Sequence, residues 1–237
     1  MGVQEFREVF PNKKSVIWMI HLAGNGAHEK LNRALEEIAI YDGEGVDGFI
    51  VENYHGDISD VQSVLDAISR KRDASLIVGV NTLGSRLDYQ WISKYGIGFI
   101  QFDNGLSPNI SEPDYVKLRK EHPRVPILGG VRFKYQAKSG LSLAQEVAVA
   151  RNKCDAIVTT GDGTGIETPL DKLRLFRELI GDFPLVVGAG VTADNVYDQL
   201  QIGDAAIVGS YFKNGNTEAE IDRRRVRDLM RIVEEFN

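Results

Sequence analysis

Polar and ionisable residues follow directly on short apolar runs along much of the chain. They are His21, Glu52 with Asn53, Asn81, Asp103, Arg132 with Lys134, Thr160 with Asp162, and Ser210. If the apolar runs are parallel strands of one sheet, these residues stand at the strand ends, where α/β barrels carry their active sites. A histidine, carboxylates, a lysine and an arginine gathered there could neutralise an anion and also move protons.

The types of these side chains single out candidates for catalysis. The candidates are Glu52, Asp103, Lys134, His21 and Asp162. Lys134 could transfer protons, or it could form a Schiff base with a carbonyl substrate if it faces inward. Arg132, two residues earlier, would then face inward as well, and two cations suit anion binding at least equally. Each residue alone also fits a structural role, such as a bridge from Glu52 to Arg132 or Lys134.

A second group of polar residues is expected to contact a substrate. It consists of Asn53, Asn81, Arg132, Thr160 and Thr164. The stretch "GDGTG" (161–165) offers Thr164 for binding and Asp162 as a base or metal ligand, or it is simply an Asp–Gly turn. Glu52, Asp103 and Asp162 could together hold Mg²⁺, and the chemistry requires no other cofactor. The four histidines show no metal-ligand spacing.

Glycines directly follow the last two apolar runs, within "PLVVGAGVTADNVYDQLQIGDAAIVGSYFKNG" (184–215). Phosphate sites need backbone N–H groups aimed at the anion with no β-carbon in the way. Gly188, Ala189 and Gly190 form one such turn, and Gly209 with Ser210 forms the other. We therefore predict a phosphate site at these five residues, with a helix beginning near Thr192. The alternative is that the glycines only turn corners after buried strands.

Apolar runs alternate with amphipathic segments eight times. The predicted strands are Val16–Ile20, Gly48–Glu52, Leu76–Val80, Gly98–Phe102, Pro126–Val131, Ala156–Thr160, Leu185–Gly188 and Ala205–Gly209. The predicted helices are Glu29–Tyr41, Asp57–Arg72, Arg86–Lys94, Glu112–His122, Ser142–Asn152, Pro169–Ile180, Thr192–Gln201 and Asp222–Phe236. This alternation predicts an α/β protein with a (β/α)8 TIM barrel. An open doubly wound sheet is the alternative, but only "GNG" (24–26) follows the first strand, without the third glycine of a dinucleotide-binding turn.

Length and composition limit the classes of function. The 237 residues fit one barrel domain over 1–237, and the net charge of −6 disfavours nucleic acid or an anionic membrane as partner. No apolar run is long enough for a membrane span, and "MGVQEFREVFPNKK" (1–14) lacks the apolar core of a signal peptide. The single cysteine, Cys154, excludes an internal disulfide and is expected at the end of the barrel away from the site. We expect a cytoplasmic protein, with homo-oligomer formation left open.

Several stretches resemble the BtpA family, also called the BtpA/SgcQ family. They are "GVDGFIVENYHGD" (45–57), "CDAIVTTGDGTGIETPLDKLRLFRE" (154–178), "LVVGAGVTADNV" (185–196), "AAIVGSYFKNG" (205–215), "VIWMIHLAG" (16–24) and "LIVGVNTLG" (76–84). The resemblance implies a TIM barrel similar to those that bind ribulose phosphate and related phosphosugars. It implies no settled reaction, although the family takes its name from a role in photosystem I biogenesis. After His21 this chain has "AGNGAHEK" in place of the family's proline-rich loop.

Two functions from different classes are consistent with these residues. The first is an enzyme of the isomerase or aldolase-type lyase kind, acting on a small phosphorylated metabolite such as a sugar phosphate. The second is a non-catalytic assembly or biogenesis factor that keeps a phosphate or ligand-sensing pocket. A flavin enzyme that uses the phosphate site for FMN is a third reading. The joint presence of His21, Glu52, Asp103 and Lys134 favours the enzyme, because a scaffold does not need them together.

Overall fold

Eight parallel strands close into a barrel in the computed structural model, which describes residues 3–71 and 77–237. The strands are β1 (Ser15–Ile20), β2 (Gly48–Glu52), β3 (Val78–Asn81), β4 (Phe99–Phe102), β5 (Ile127–Gly130), β6 (Ala156–Thr160), β7 (Leu185–Gly188) and β8 (Ala205–Val208). Each strand pairs with the next, and β1 pairs with β8. The predicted TIM barrel is confirmed. The open-sheet alternative is wrong, because closure leaves no sheet edge.

Helices follow the strands around the outside of the barrel, and one further helix precedes β1. They are α1 (Val3–Val9), α2 (Ala27–Gly43), α3 (Ile58–Lys71), α4 (Trp91–Tyr95), α5 (Glu112–Glu121), α6 (Leu143–Arg151), α7 (Leu170–Ile180), α8 (Val196–Ile202) and α9 (Arg223–Glu234), with a 3-10 helix at Ser210–Lys213. Arg72 and Leu76, a predicted helix end and a predicted strand start, lie outside the described residues. No helix within the described ranges is long and apolar enough to cross a membrane.

Two predicted helix starts are wrong for local reasons. The segment before α4 is held by turns, since the N–H groups of Trp91 and Ile92 bond to carbonyls three residues earlier. Leu87 donates instead to the Asn109 carbonyl in the next loop, so the helix cannot begin at residue 86. Before α8, the Thr192 N–H bonds to the Asn195 side chain. This turn delays the helix to Val196 and moves its N-terminus away from the glycines after β7.

Apolar side chains from alternate strand positions fill the barrel interior. Ile17, Ile50, Leu128 and Val186 belong to this interior cluster, whereas their strand neighbours pack outward under the helices. Phe99 fills space left by a glycine on the adjacent strand: a β-carbon at position 79 would lie 2.3 Å from the Phe99 ring. A filled interior places the ligand-accessible space at the barrel mouth, the end where the strand carboxyl termini meet.

The opposite end of the barrel is covered by α1, a helix absent from the sequence prediction. Its seven residues are too few for a clear apolar period. Phe6 and the following Phe10 are both 1% exposed and belong to the interior cluster. The ring centroids of Phe10 and Phe99 lie 5.2 Å apart in an edge contact. The helix therefore seals the end of the barrel away from the mouth.

Cys154 lies just before β6, at this sealed end, as the sequence predicts. Its side chain is buried, and its Sγ lies 3.7 Å from the Gly105 carbonyl oxygen. Burial, assisted by the nearby Asp155 charge, raises the pKa of the thiol to about 12. Because the thiolate is the reactive form, Cys154 is unreactive in the folded protein.

We expect the seal to contribute strongly to stability. Phe10→Ala removes a buried ring from the interior cluster and should lower the free energy of unfolding by about 3–5 kcal/mol. Denaturant unfolding followed by circular dichroism measures this change. The control is Glu8→Ala on the exposed face of α1, which should change this free energy by less than about 0.5 kcal/mol. Equal effects of the two substitutions would mean that α1 does not seal the barrel.

Candidate active site at the barrel mouth

A cleft with about 490 Å³ of space opens at the barrel mouth. The loops after β7 and β8 form one wall through Gly188, Ala189, Gly190, Gly209 and Ser210. His21, Glu52, Lys134 and Thr164 line the rest of the cleft, over a floor of Met19, Gln101, Phe133 and Ile207. The structure thus brings three of the predicted catalytic residues to one cleft with all five predicted phosphate-binding residues.

Two carboxylates at the mouth are held by one amide. Asn81 Nδ2 donates to Glu52 Oε2 at 2.8 Å and to Asp103 Oδ1 at 2.9 Å. The pairing of Glu52 with Asn81 in the β2–β3 register puts the first two side chains beside each other. Asp103 itself lines a neighbouring cavity, formed by the loops after β3 and β4. The amide uses both its N–H groups on the carboxyl oxygens and so fixes their relative positions.

Burial makes this pair suited to proton transfer. Desolvation, followed by the charge of Asp103, raises the pKa of Glu52 to about 8. Burial also raises the pKa of Asp103, against the lowering effects of Asn81, Lys134 and Gln101. A carboxyl with a pKa near neutrality exchanges protons efficiently at physiological pH. Glu52 is therefore the better candidate of the two for a general acid–base.

Lys134 reaches the cleft from the loop after β5. Its Nζ donates to Thr164 Oγ1 at 3.1 Å, and its backbone N–H donates to Thr160 Oγ1 at 2.6 Å. Tyr135 OH accepts from the Thr164 N–H at 3.0 Å and joins the same two loops. These contacts hold the ammonium group over the cleft, where it can neutralise an anionic ligand.

His21 is 4% exposed and lines the cleft beneath the β8 loop. Burial, with the charges of Lys213 and Lys134, holds the pKa of its imidazole well below the usual range. The ring is therefore neutral near pH 7. Its buried Nδ1 has no hydrogen-bond partner among the described residues. A neutral imidazole at this point can donate to or accept from a ligand.

The glycines of the β7 and β8 loops also meet a packing demand, so their small size is explained without a ligand. A β-carbon at Gly190 would lie 2.3 Å from the backbone of Ile166 and Glu167, and one at Gly209 would lie 2.6 Å from the His21 ring. What the two loops offer a ligand is backbone: Gly190 and Val191 donate none of the described hydrogen bonds with their N–H groups. Ala189 has a φ of 60° and is half-exposed in the cleft wall.

Asp162 and Arg132 do not lie in the cleft, contrary to the sequence expectation. Both line a separate surface cavity, together with Lys172. β5 ends at Gly130 and Arg132 has a φ of 49°, so the strand alternation that would aim it inward no longer holds. Arg132 Nε pairs with Glu146 at 2.8 Å instead. With Asp162 on this outer surface, the proposed Mg²⁺ trio is not assembled, and the described residues contain no other group of three potential ligands.

Thr160 and Asn53, two more of the predicted substrate contacts, form hydrogen bonds within the protein instead. Thr160 is fully buried, and its hydroxyl accepts from Lys134 and donates to the Gly161 carbonyl. Asn53 Nδ2 donates to the Leu83 carbonyl at 3.2 Å, and Asn53 does not line the cleft. Thr160 thus holds the loop that carries Lys134, and Asn53 holds the loop that follows Asn81. Asn81 and Thr164 keep positions from which they can reach a ligand.

Sequence reasoning missed two residues near the cleft, Gln101 and Tyr54. Gln101 is 1% exposed in the floor, donates to Asp103 Oδ1 at 3.3 Å and has an unpartnered Oε1. The sequence did contain an indication of Gln101, because it is a polar residue within an apolar strand, two positions before Asp103. Tyr54 packs its ring 5.3 Å from that of His21 and places its hydroxyl 3.3 Å from Thr164 Oγ1. Nothing in its sequence context distinguished it from a surface tyrosine.

Comparison of the sequence with known proteins gives a consistent set of relatives. A family model described as the BtpA family matches residues 107–235. An uncharacterised protein of Thermococcus kodakarensis is 28% identical, over 94% of this chain and 97% of its own length. A Synechocystis protein named photosystem I biogenesis protein BtpA is 26% identical, over 96% of this chain and 91% of its own.

Solved structures resemble this one in fold. Thiamine phosphate pyrophosphorylase from Pyrococcus furiosus superposes with a TM-score of 0.65 at 16% identity, covering 96% of this chain and 98% of that one. N-(5'-phosphoribosyl)anthranilate isomerase from the same organism gives 0.59 at 16% identity, with 94% and 99% covered. At this identity the likeness shows a shared barrel fold and no more.

The raised pKa of Glu52 predicts a specific dependence of stability on pH. Between the ordinary carboxyl value of 4.5 and about 8, folded Glu52 holds a proton that the unfolded chain has released. The contribution of Glu52 to the free energy of unfolding is therefore complete below pH 4.5 and is lost as the pH rises from there to about 8. Glu52→Gln keeps the shape of the side chain but does not titrate. As the pH rises over this range, the free energy of unfolding of the variant should therefore fall less than that of the wild type. Denaturant unfolding at a series of pH values gives the difference, and parallel curves would contradict the raised pKa.

Proposed function

The chain belongs to the BtpA family, and from that premise and the geometry of the mouth we propose that it binds a small phosphorylated metabolite and acts on it as an isomerase or an aldolase-type lyase. One observation carries the proposal. The wall formed by Gly188–Gly190 and Gly209–Ser210 faces the same cleft as Glu52 and Lys134. An anion-binding wall beside acid–base groups is the arrangement that a phosphorylated substrate requires.

The phosphate end is supported by backbone and charge together. The N–H groups of Gly190 and Val191 donate none of the described hydrogen bonds, and Ser210 adds a hydroxyl at the start of its 3-10 helix. Lys134 supplies a positive charge in the cleft. The cations of the rival surface already have partners within the protein: Arg132 pairs with Glu146, and Lys172 Nζ donates to two backbone carbonyls. The cleft wall is therefore the better anion site.

The names of the structural neighbours agree with this ligand class. A thiamine phosphate pyrophosphorylase and a phosphoribosylanthranilate isomerase, both with phosphorylated compounds in their names, share the fold. In TIM barrels generally, loops after the seventh and eighth strands often bind phosphate. The same position in this chain is lined by Ala189 and Ser210.

The chemistry follows from the carboxyl pair. Glu52, with its pKa raised to about 8, can remove a proton from a carbon beside a carbonyl and return it at a neighbouring position. Asn81 keeps Asp103 beside it, and Asp103 sustains the raised pKa. Lys134 can stabilise charge that develops on the carbonyl oxygen. If Lys134 instead attacks the carbonyl, the same cleft supports Schiff-base lyase chemistry.

The alternative function is a non-catalytic assembly factor. It is favoured by one observation, the similarity to a Synechocystis protein named for photosystem I biogenesis. In that case the cleft would bind a phosphorylated ligand as a sensor, without turnover. Both functions need the phosphate wall, which is the wall of the cleft formed by Gly188–Gly190 and Gly209–Ser210. Only the enzyme needs Glu52.

The phosphate wall is tested by placing a charge in it. Ala189 has a left-handed backbone, which Asp and Asn adopt more readily than most residues. Ala189→Asp should weaken the binding of inorganic phosphate by about tenfold or more through like-charge repulsion. Ala189→Asn has the same shape without the charge and should stay within about threefold of wild type. Isothermal calorimetry with matched thermal melts measures both. Equal phosphate affinities for the two variants would rule out an anion site at this wall.

Catalysis is tested by deuterium exchange. In D₂O, wild-type protein should exchange the hydrogen on the carbon next to the carbonyl in at least one of a panel of aldose and ketose phosphates, read by proton NMR. Glu52→Gln should slow the exchange by about a hundredfold or more. Borohydride added to the same samples marks Lys134 only if a Schiff base forms. A phosphate ester that binds without exchange and without trapping would favour the assembly factor.

A further inference from the structure

A second cavity opens at the mouth between the loops that follow β3 and β4. It has about 590 Å³ of space, and Asn81 and Asp103 line it. Asn81 also bonds Glu52, which lines the main cleft, so the two cavities meet at the carboxyl pair. In the closed order of eight strands, β3 and β4 lie across the mouth from β7 and β8. The second cavity is therefore opposite the phosphate wall.

The walls of this cavity suit an uncharged polar group. Thr82, Asn104, Ser107 and Asn109 contribute hydroxyl and amide groups, and none of the described residues that line it is a lysine, arginine or histidine. Asp103 is its one charged residue. A second phosphate or a carboxylate placed there would face Asp103 with no cation in the lining of the cavity.

Several polar atoms at this cavity are left without partners. Asn81 Nδ2 donates to the carboxyl groups of Glu52 and Asp103. Asn81 Oδ1 accepts none of the hydrogen bonds found among the described residues. The same is true of Asp103 Oδ2, and the Ser107 hydroxyl is exposed and unbonded within those residues. Open acceptors of this kind call for hydrogen-bond donors on a ligand.

We propose that this cavity binds the hydroxylated end of a phosphorylated polyol or sugar, an inference that rests on the phosphate site of the proposed function. The ligand then extends across the mouth, from the β7–β8 wall over the carboxyl pair to the cavity between the β3 and β4 loops. The site prefers hydroxylated monophosphates to bisphosphates and to phosphorylated acids.

Calorimetric titration with three probes tests the proposal. Inorganic phosphate reports on the wall alone. Sorbitol 6-phosphate adds an open hydroxylated chain without a carbonyl, and 6-phosphogluconate has the same length with a carboxylate at the far end. Sorbitol 6-phosphate should bind about tenfold or more tightly than phosphate, because two or three new hydrogen bonds supply that much. 6-Phosphogluconate should bind about tenfold more weakly than sorbitol 6-phosphate.

Two substitutions of Ser107 test the cavity itself, Ser107→Leu as the disruptive change and Ser107→Ala as its matched control. Ser107→Leu fills part of the space and removes a hydroxyl, so it should reduce sorbitol 6-phosphate affinity by about tenfold while phosphate affinity stays unchanged. Ser107→Ala keeps the space and should cost about threefold or less.

The outcomes separate this inference from the phosphate site. If phosphate itself does not bind the wild type, the proposed function fails and the subsite fails with it. If phosphate binds but sorbitol 6-phosphate binds no more tightly, the subsite alone is wrong. It is also wrong if 6-phosphogluconate matches sorbitol 6-phosphate, or if Ser107→Leu leaves the affinity for sorbitol 6-phosphate unchanged.

Discussion

The parallel pairing of β1 with β8 is the constraint on which the rest of the structure depends. Once Ser15–Trp18 align with Ala205–Val208, the sheet has no edge, and all eight carboxyl ends meet at one mouth. Closure places His21, which follows β1, directly beneath Gly209, which follows β8. The interior layers then exclude a central channel, and ligand-accessible space remains at the rim.

The mouth divides into two chemically different halves. On the β7–β8 side, the half-buried residues Ala189 and Gly209 and the side chain of Lys134 line the cleft, which is the part of the mouth that we propose binds an anion. On the β2–β4 side, Glu52 and Asp103 share the amide of Asn81 in a buried setting that keeps a proton available near neutral pH. Such a division orients a ligand with one charged end. The proposed phosphate binding is compatible with the acidic net charge of the chain, because Lys134 places a positive charge in the cleft itself.

Side chains within strands were predictable from the sequence, whereas those in loops were predictable only in part, since Lys134 lies in the predicted cleft but Arg132 and Asp162 do not. Glu52 and Asn81 lie within β2 and β3, where alternation fixes which face a side chain takes. Arg132 and Asp162 lie beyond the ends of β5 and β6, where strand alternation no longer determines the direction of a side chain. Lys213 illustrates a long-range effect: it is fully buried 2.6 Å from Glu37 of α2, which no local pattern indicates. The eight strands themselves were predictable because doubly buried strands appear as unbroken Val- and Ile-rich runs.

The central claim is that the wall formed by the β7 and β8 loops binds phosphate. A crystal of the protein soaked in tungstate, a heavy analogue of phosphate, tests it most directly through anomalous diffraction. The claim predicts a tungstate in the cleft, with oxygens about 3 Å from the backbone nitrogen atoms of Gly190 or Ser210. Tungstate bound only at the cavity of Arg132 and Lys172, with the cleft free of it, would contradict the claim.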